Sequence, residues 1–161
     1  MARRLALVTG ASAGIGAAFA RIYASHGYDV ALTARRLDRL EALAAEIRLR
    51  FGVEAYPIAA DLSDPAGVDT VLAGVDAQGR VVDALVNNAG YGLPGAYAQT
   101  SWADQSAFLQ VMLTSVCGLT HKVLPGMVER GHGRIVNVAS LAGLAPGAAG
   151  HTLYALSLIH I

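Results

Sequence analysis

The residues with the clearest chemical potential form a glycine-rich stretch near the start of the chain. Residues 9–16 are Thr-Gly-Ala-Ser-Ala-Gly-Ile-Gly and follow a short apolar run. Gly10 permits a tight turn, Gly14 lets the backbone approach a phosphate, and Gly16 allows a helix to pack closely. The first amide groups of that helix would bind a pyrophosphate, although a tight turn without a ligand also explains the glycines. We predict a dinucleotide phosphate site formed by Gly10, Ser12, Ala13, Gly14, Ile15 and Gly16.

The residues after the second predicted strand indicate which dinucleotide is bound. A carboxylate there would bind the ribose 2′-hydroxyl of NAD and would repel a 2′-phosphate. This chain has no acid at that point and instead carries two cations, Arg35 and Arg36. Cations are unfavourable at the start of a helix, so we expect that these two arginines are there to bind a ligand. The alternative is that they are solvated surface charges. NADP(H) is therefore predicted in preference to NAD(H).

Strands and helices must alternate to bring these segments together. Apolar patterns predict strands at 5–9, 30–33, 55–60, 84–86 and 134–139, and helices at 14–25, 37–50, 65–77 and 102–130. The last helix could bend before Pro125, whose ring removes a backbone donor. Short connections imply parallel strands with helices on both faces. We predict an α/β fold, a doubly wound three-layer sheet of strand order 3-2-1-4-5, with its ligand beyond the carboxyl ends of strands one and four.

Several motifs in one order resemble those of the short-chain dehydrogenase/reductase family. The glycine stretch matches T-G-x-x-x-G-x-G, residues 87–90 match N-N-A-G, and residues 133–140 are similar to the strand that delivers a catalytic serine. The resemblance covers nearly the whole chain and implies a Rossmann-like domain. It identifies Ser140 and Tyr154 as the catalytic residues. It adds further cofactor-binding residues, namely Asp61, Leu62, Asn88, Ala89, Gly90 and Tyr154.

The resemblance also implies a mechanism. The tyrosine hydroxyl exchanges a proton with the substrate oxygen while a hydride moves between the nicotinamide and a carbonyl or alcohol carbon, and the serine hydrogen-bonds the same oxygen. A free tyrosine has a pKa near 10, so a base acting near neutral pH needs a depression of about three units, or about 4 kcal/mol. An ammonium about 4 Å away, at an effective dielectric constant of about 20, supplies a similar amount. The family places a lysine one helical turn after the tyrosine.

Two positions depart from this pattern. Leu158 stands at the lysine position, and Met112 stands where the family usually has an asparagine of the proton relay. Ordinary helix packing is the favoured interpretation of Met112. We expect Tyr154 to lie on a frayed end and this chain to be an inactive fragment. We interpret residues 1–155 as an incomplete NAD(P)-binding domain and residues 156–161 as an atypical tail from an incomplete reading frame.

Composition narrows the partners. Twelve Lys and Arg balance twelve Asp and Glu without a basic stripe, which disfavours nucleic acid and anionic membranes and favours a small neutral substrate. Cys117 is the only cysteine, so we expect no internal disulfide and a reducing, cytoplasmic location. We expect no metal, because no His, Asp or Glu cluster has ligand spacing. Glycines interrupt the first apolar run, which disfavours a signal peptide, and no apolar stretch reaches membrane-spanning length.

The sequence is compatible with three functions. The first is an NADP(H)-dependent oxidoreductase of the family described above, which we expect to be a homo-oligomer at full length. The second is a non-catalytic NADP(H)-binding domain, which the missing lysine supports. The third is a methyltransferase on a similar sheet, which would want an acid after strand two where Ala34 and Arg35 stand. The motifs determine neither the substrate nor the direction of the reaction.

Overall fold

Strands and helices alternate along the chain in the computed structural model, which describes residues 3–93, 95–143 and 152–158. The strands are β1 (Leu5–Thr9), β2 (Asp29–Ala34), β3 (Ala55–Ala59), β4 (Ala84–Asn87) and β5 (Arg134–Asn137). The α-helices are α1 (Gly14–Ser25), α2 (Leu37–Phe51), α3 (Gly67–Asp76), α4 (Trp102–Leu109), α5 (Ser115–Glu129) and α6 (Thr152–Leu158). Single 3-10 turns lie at Tyr97–Gln99 and Leu141–Gly143, and a π-helical turn, Gln110–Thr114, joins α4 to α5.

All five strands are parallel and are ordered β3-β2-β1-β4-β5, which confirms the predicted doubly wound fold. Leu7 of the central strand pairs with Ala31 of β2 and with Leu85 of β4. The order reverses between β1 and β4, so the loops that follow these two strands diverge to opposite faces of the sheet. A cleft therefore opens at the carboxyl ends of β1 and β4.

The core lies in two layers, one on each face of the sheet. Ala6 and Val8 of β1 are fully buried against the α1 and α2 side, where Leu40 and Ile47 complete the layer. Leu5 and Leu7 face the opposite layer, which contains Val71 of α3 and Leu119 of α5. Successive residues of a strand point to opposite faces, and both faces are covered here, so β1 is apolar from Leu5 to Val8 and ends in the buried polar Thr9.

The predicted ends of some elements differ from the observed ones by one or two residues, and the long predicted helix is interrupted by a π-helical turn. β5 ends at Asn137 and not at residue 139, and α3 begins at Gly67 and not at residue 65. The long helix contains Pro125 within α5, and its departure from α-helical geometry is the π turn at Gln110–Thr114. The extra residue of a π turn rotates the helical segments on either side relative to each other. This turn faces the cleft.

The long helix is long and apolar enough to cross a membrane, although the sequence analysis expected no stretch of membrane-spanning length. Trp102–Glu129 spans 28 residues with a mean hydropathy of 1.3 in its most apolar window, a third of which is buried. Within the described part of the chain it is the one helix long and apolar enough to cross a membrane. Phe108, Leu119 and Val123 on its inner face pack in the core.

A buried ion pair joins segments at the amino ends of the strands. Asp29 Oδ2 lies 2.6 Å from Arg80 Nη1, and the two side chains are only 4% and 16% exposed. Asp29 Oδ1 accepts a hydrogen bond from the backbone amide of Glu54 at 2.8 Å, and Arg80 also donates to the Tyr56 hydroxyl at 3.2 Å. The pair thus ties β2, β3 and the loop before β4 together.

Removing Arg80 is expected to destabilise the fold strongly. R80M leaves Asp29 buried without its ionic partner, so the free energy of unfolding should fall by about 3 kcal/mol. Denaturation in urea measures this loss. The matched control is R21M, which removes the Arg21–Glu46 pair, 2.7 Å apart and 38% and 40% exposed, and should change stability by less than about 1 kcal/mol. Equal losses of unfolding free energy in the two variants would show that burial does not make the Asp29–Arg80 pair more important for stability than the exposed pair.

Candidate active site

The glycine-rich stretch forms the turn between β1 and α1, and its glycines are required for different reasons. Gly10 has a φ of +66°, and a side chain there would lie 2.8 Å from Asn88 Nδ2 and 2.9 Å from Ala89 Cα. A Cβ on Gly16 would lie 2.4 Å from the carbonyl oxygen of Gly10. Gly14 has a φ of +56°, yet a Cβ there would meet no atom within 4 Å. Gly10 and Gly16 therefore permit close packing, whereas Gly14 leaves open space over the backbone.

The amino end of α1 is free to receive an anion. Its N-cap residue, Ala13, provides no side-chain hydrogen bond, and the first turn contains no acidic residue. The first amide groups of a helix have no partner within the helix and carry a partial positive charge. The turn and the helix start therefore fit a dinucleotide pyrophosphate, with Gly14 as the point of closest backbone approach.

Thr9 locks this turn against the end of β4, a role that the sequence analysis missed. Its hydroxyl donates to the carbonyl oxygen of Val86 at 3.2 Å and accepts from the backbone amides of Asn88 and Ala89, each at 2.9 Å. Asn88 Nδ2 donates in return to the carbonyl oxygen of Thr9 at 2.9 Å. The glycine turn and residues 87–90 thus form one rigid unit. The threonine before Gly10 was the available signal.

The two arginines after β2 face different parts of the cleft. Arg36 Nη2 donates to Ser12 Oγ at 2.9 Å and so reaches across to the glycine turn. Arg35 lies near Asp61, at the end of β3. The pKa of Asp61 is lowered first by hydrogen bonds from the hydroxyl and the amide of Ser63, and then also by the charge of Arg35. Arg36 with Ser12 is therefore the pair best placed for a phosphate on the ribose.

One cleft of about 930 Å³ brings together most of the residues selected from the sequence. Those that line it are Gly10, Ser12, Ala13, Ile15, Arg35, Arg36, Asp61, Leu62, Asn88, Ala89, Gly90, Ser140 and Tyr154. Gly14 and Gly16 lie in the adjoining turn and are not part of the lining. Among the residues that the structure describes, no cluster of His, Cys, Asp and Glu is placed to hold a metal ion.

Ser140 and Tyr154 line the cleft from two different segments. Ser140 follows β5, and its hydroxyl accepts the backbone amide of Ala142 at 3.2 Å, which fixes the turn. Tyr154 is half-buried on α6, where it packs against α4, and so does not lie on a frayed end. The residues between them, 144–151, lie outside the described part of the chain. A carbonyl group between the two hydroxyls could receive a hydrogen bond and a proton.

An apolar cluster stands beside Tyr154. It consists of Phe108, Met112 and Leu158, and Tyr154 packs against it. Tyr91, which directly follows N-N-A-G and which the sequence analysis did not select, meets Phe108 edge to face with ring centroids 5.3 Å apart. Burial raises the pKa of Tyr91, so this hydroxyl stays protonated in the cleft wall. The wall next to Tyr154 is therefore largely apolar.

Comparison with known proteins identifies the family of this chain. The model of the short chain dehydrogenase family matches residues 4–157. The chain belongs to the short-chain dehydrogenase/reductase family. Nodulation protein G of Rhizobium sp. (strain N33) is 42% identical over 154 residues, which cover 96% of this chain and 61% of that protein. An NADP-dependent 3-hydroxy acid dehydrogenase of Salmonella typhi is 38% identical over 149 residues, covering 91% of this chain and 58% of that one.

Solved structures give the same result. A short-chain dehydrogenase from Sphingobium yanoikuyae in complex with NADPH superposes with a TM-score of 0.89 at 35% identity, over 97% of this chain and 60% of that one. L-sorbose reductase from Gluconobacter frateurii, in complex with NADPH and L-sorbose, gives 0.90 at 31% identity, over 99% and 60%. The chain thus spans about three fifths of the length of these relatives.

Proposed function

We propose that the protein containing this chain is an NADP(H)-dependent oxidoreductase that moves a hydride between the nicotinamide and a carbonyl or alcohol substrate. The observation that carries the proposal is the Arg36–Ser12 hydrogen bond, which puts a cation and a hydroxyl beside the uncapped start of α1. A 2′-phosphate would find a guanidinium there and no competing carboxylate. Relatives described as NADP-dependent or solved with NADPH support the same cofactor.

The residues of the cleft have separate roles in cofactor binding and proton transfer. In this proposal the start of α1 binds the pyrophosphate, the arginines bind the phosphate on the ribose, and Asp61, which lines the same cleft, contacts the adenine. When bound, the dihydronicotinamide supplies the hydride. Tyr154 donates a proton to the substrate oxygen, and the Ser140 hydroxyl holds the same oxygen in place. A small carbonyl compound or alcohol is the substrate class that this arrangement takes.

The chain itself is proposed to be inactive as a catalyst, because Leu158 provides no cation to stabilise the Tyr154 phenolate. A non-catalytic NADP(H)-binding domain is the weaker proposal for the whole protein, since its relatives are described as dehydrogenases and reductases. We further propose that residues 1–155 form the cofactor-binding domain and that residues 156–161 are an atypical tail. The exposed thiol of Cys117 is consistent with a reducing cytoplasmic location.

Binding titrations with NADPH and NADH test this function. We expect NADPH to bind about 10–100-fold more tightly than NADH, because a hydrogen bond to a charged phosphate contributes a free energy of this size. R36A should remove most of that difference and R35A less of it, because Arg36 makes the bond to Ser12. R39A is the matched control: Arg39 is an exposed cation of α2 outside the cleft and should leave the ratio unchanged. Equal dissociation constants for the two cofactors in the wild-type chain would refute the proposal.

We further propose that the protein is a homo-oligomer. Leu113, Cys117, Leu124 and Val128 recur at spacings of four, seven and four, which places them on one face of the long helix. All four are exposed, Leu124 by 44% and Val128 by 71%. A second copy related by a two-fold axis would cover this apolar stripe with the same stripe.

Sedimentation of the chain at increasing concentration tests the oligomer. The wild-type chain should shift from monomer to dimer, and the double variant L113E/V128E should stay monomeric because two carboxylates would lie in the contact. L49E is the matched control, since Leu49 is 91% exposed on α2, away from the stripe, and should dimerise as the wild type does. Dimers formed by L113E/V128E would place the contact elsewhere.

A further inference from the structure

Tyr91 lines the cleft on a segment that is held by packing at several points. A Cβ built on Gly90 would lie 2.9 Å from Met112 Sδ, so the backbone before Tyr91 rests on that side chain. Leu93, two residues further on, packs against the same apolar cluster. The Tyr91 ring itself meets the fully buried ring of Phe108 at an angle of 80°, with centroids 5.3 Å apart. These contacts fix the ring in place, although the residue is 39% exposed.

This ring continues into a set of apolar side chains on the side of the cleft where Tyr154 lies. Ala107 and Val111 line the cleft one helical turn apart, from α4 and the π turn. Because α6 packs against both of these segments, Leu158 lines the same part of the cleft. The surface, which we call the apolar wall, consists of Tyr91, Ala107, Val111, Met112 and Leu158.

The charged side chains of the cleft come from other segments. Among the described residues that line it, the charged ones are Arg35, Arg36 and Asp61, which follow β2 and β3. Residues 144–151, outside the described part of the chain, contain no Lys, Arg, Asp or Glu and a single histidine, His151. A carboxylate placed on the apolar wall would therefore lose its water without gaining an ionic partner, which is costly.

Tyr91 stands at the boundary between the charged and the apolar parts of the cleft. Its ring contacts Phe108, whereas its hydroxyl feels the charge of Arg35. Burial raises the pKa of this phenol and the charge of Arg35 offsets only part of the rise, while the charges of Asp104 and Asp61 add to it. The hydroxyl is therefore uncharged at neutral pH, and a ligand beside Tyr91 meets a neutral aromatic side chain.

We propose that Tyr91 is a specificity-determining residue that selects carbonyl compounds with an uncharged aromatic substituent and disfavours those that carry a carboxylate. The inference rests on the proposed function in taking the substrate carbonyl to lie beside the hydroxyls of Ser140 and Tyr154. Aromatic rings attract each other in perpendicular or offset pairs, so a substrate ring can add to the Tyr91–Phe108 pair. The two hydroxyls then orient the carbonyl, and the apolar wall holds the rest of the substrate.

Two ligands that differ by one charge test this preference. Methyl 4-acetylbenzoate and 4-acetylbenzoate share a ketone and an aromatic ring, and near neutral pH only the second is an anion. In calorimetric titrations of the 161-residue chain loaded with NADP⁺, the ester should bind at least about tenfold more tightly than the acid. Y91L should weaken ester binding by about three- to tenfold, the contribution of an aromatic pair, and Y91F, which keeps the ring, should weaken it less. An ester that binds no more tightly than the acid, or no binding of either ligand, would overturn the proposal.

A charge introduced at Tyr91 should reverse the preference. Y91R supplies the cation that a carboxylate lacks on the apolar wall, so the acid should bind at least as tightly as the ester. Y97R is the matched control, because Tyr97 is 49% exposed and outside the cleft lining, and it should keep the wild-type preference. An equal preference in Y91R and the wild type would contradict the role of Tyr91.

The same titrations without cofactor separate this inference from the proposed function. They exclude the negative charges of NADP⁺ from the comparison, and the shift towards the acid on going from the wild type to Y91R should persist. Loss of that shift would show that the cofactor, and not Tyr91, sets the preference. A failure of the proposed function would appear instead in the NADPH and NADH titrations, so the two failures are distinguishable.

Discussion

The 161-residue chain is expected to reduce carbonyl compounds about a thousandfold more slowly than a completed version of itself. The completed version carries M112N and L158K and continues into the C-terminal segment of a family relative. At an effective dielectric constant of about 20, a cation about 4 Å from the phenolate stabilises it by about 4 kcal/mol, which is roughly a thousandfold in its population. Oxidation of NADPH in the presence of a panel of aldehydes and ketones measures the difference.

Two substitutions in the completed version test the residue roles. Y154F removes the hydroxyl that exchanges the proton and should reduce turnover by about 10²–10⁴-fold. S140A should slow turnover less, because it removes one hydrogen bond to the substrate oxygen. Y97F is the matched control, since Tyr97 is half exposed on the turn before α4 and outside the cleft lining. Comparable turnover by the unmodified chain would refute the need for a cation at position 158.

Gly16→Ala is expected to reduce NADPH affinity by at least about a hundredfold and to destabilise the fold. The new Cβ would lie 2.4 Å from the carbonyl oxygen of Gly10 and 2.5 Å from Asn88 Nδ2, so the whole turn must shift. Overpacking of this kind typically costs about 1–3 kcal/mol of stability. Fluorescence titration with NADPH and denaturation in urea measure the two effects separately.

A matched pair of glycines separates binding from folding. G14A and G52A place alanine at similar backbone angles, φ of +56° and +63°, and in both cases the Cβ meets no atom within 4 Å. Each should lose about 1–2 kcal/mol of stability from the left-handed conformation. Only G14A should also weaken NADPH binding, because its methyl group occupies the space left for the pyrophosphate. Equal binding by G14A and G52A would place the phosphate away from the start of α1.

The architecture could be predicted because its signals are local. Short apolar runs that alternate with helical patterns indicate the strands, and the crossover connections between parallel strands have essentially one handedness. Most of the cleft residues selected from the sequence could likewise be predicted, since they follow strands and the carboxyl ends of parallel strands meet at one edge. Tyr154 lies on α6 and was selected from the family resemblance. Whether those residues bind NADP(H) stays a prediction that the titrations test.

Features that depend on contacts distant in sequence could not be predicted. The π turn at 110–114 leaves the apolar pattern of a long helix almost unchanged, so periodicity did not indicate it. The Asp29–Arg80 pair joins residues that no local pattern connects. Tyr154 was expected on a frayed end, but the apolar surface of Phe108 and Met112 holds α6 in place. Each of these is decided by packing between elements and not by propensity within one.

The central claim is that this cleft holds NADP(H) through a phosphate site made by Arg36 and Ser12. A crystal structure of the chain grown with NADP⁺ tests it most directly. We predict density for the 2′-phosphate within hydrogen-bond distance of the Arg36 guanidinium and Ser12 Oγ, the pyrophosphate at the start of α1, and the nicotinamide in the part of the cleft next to Ser140 and Tyr154. A dinucleotide bound with its adenosine ribose away from Arg36, or bound outside the cleft, would contradict the claim.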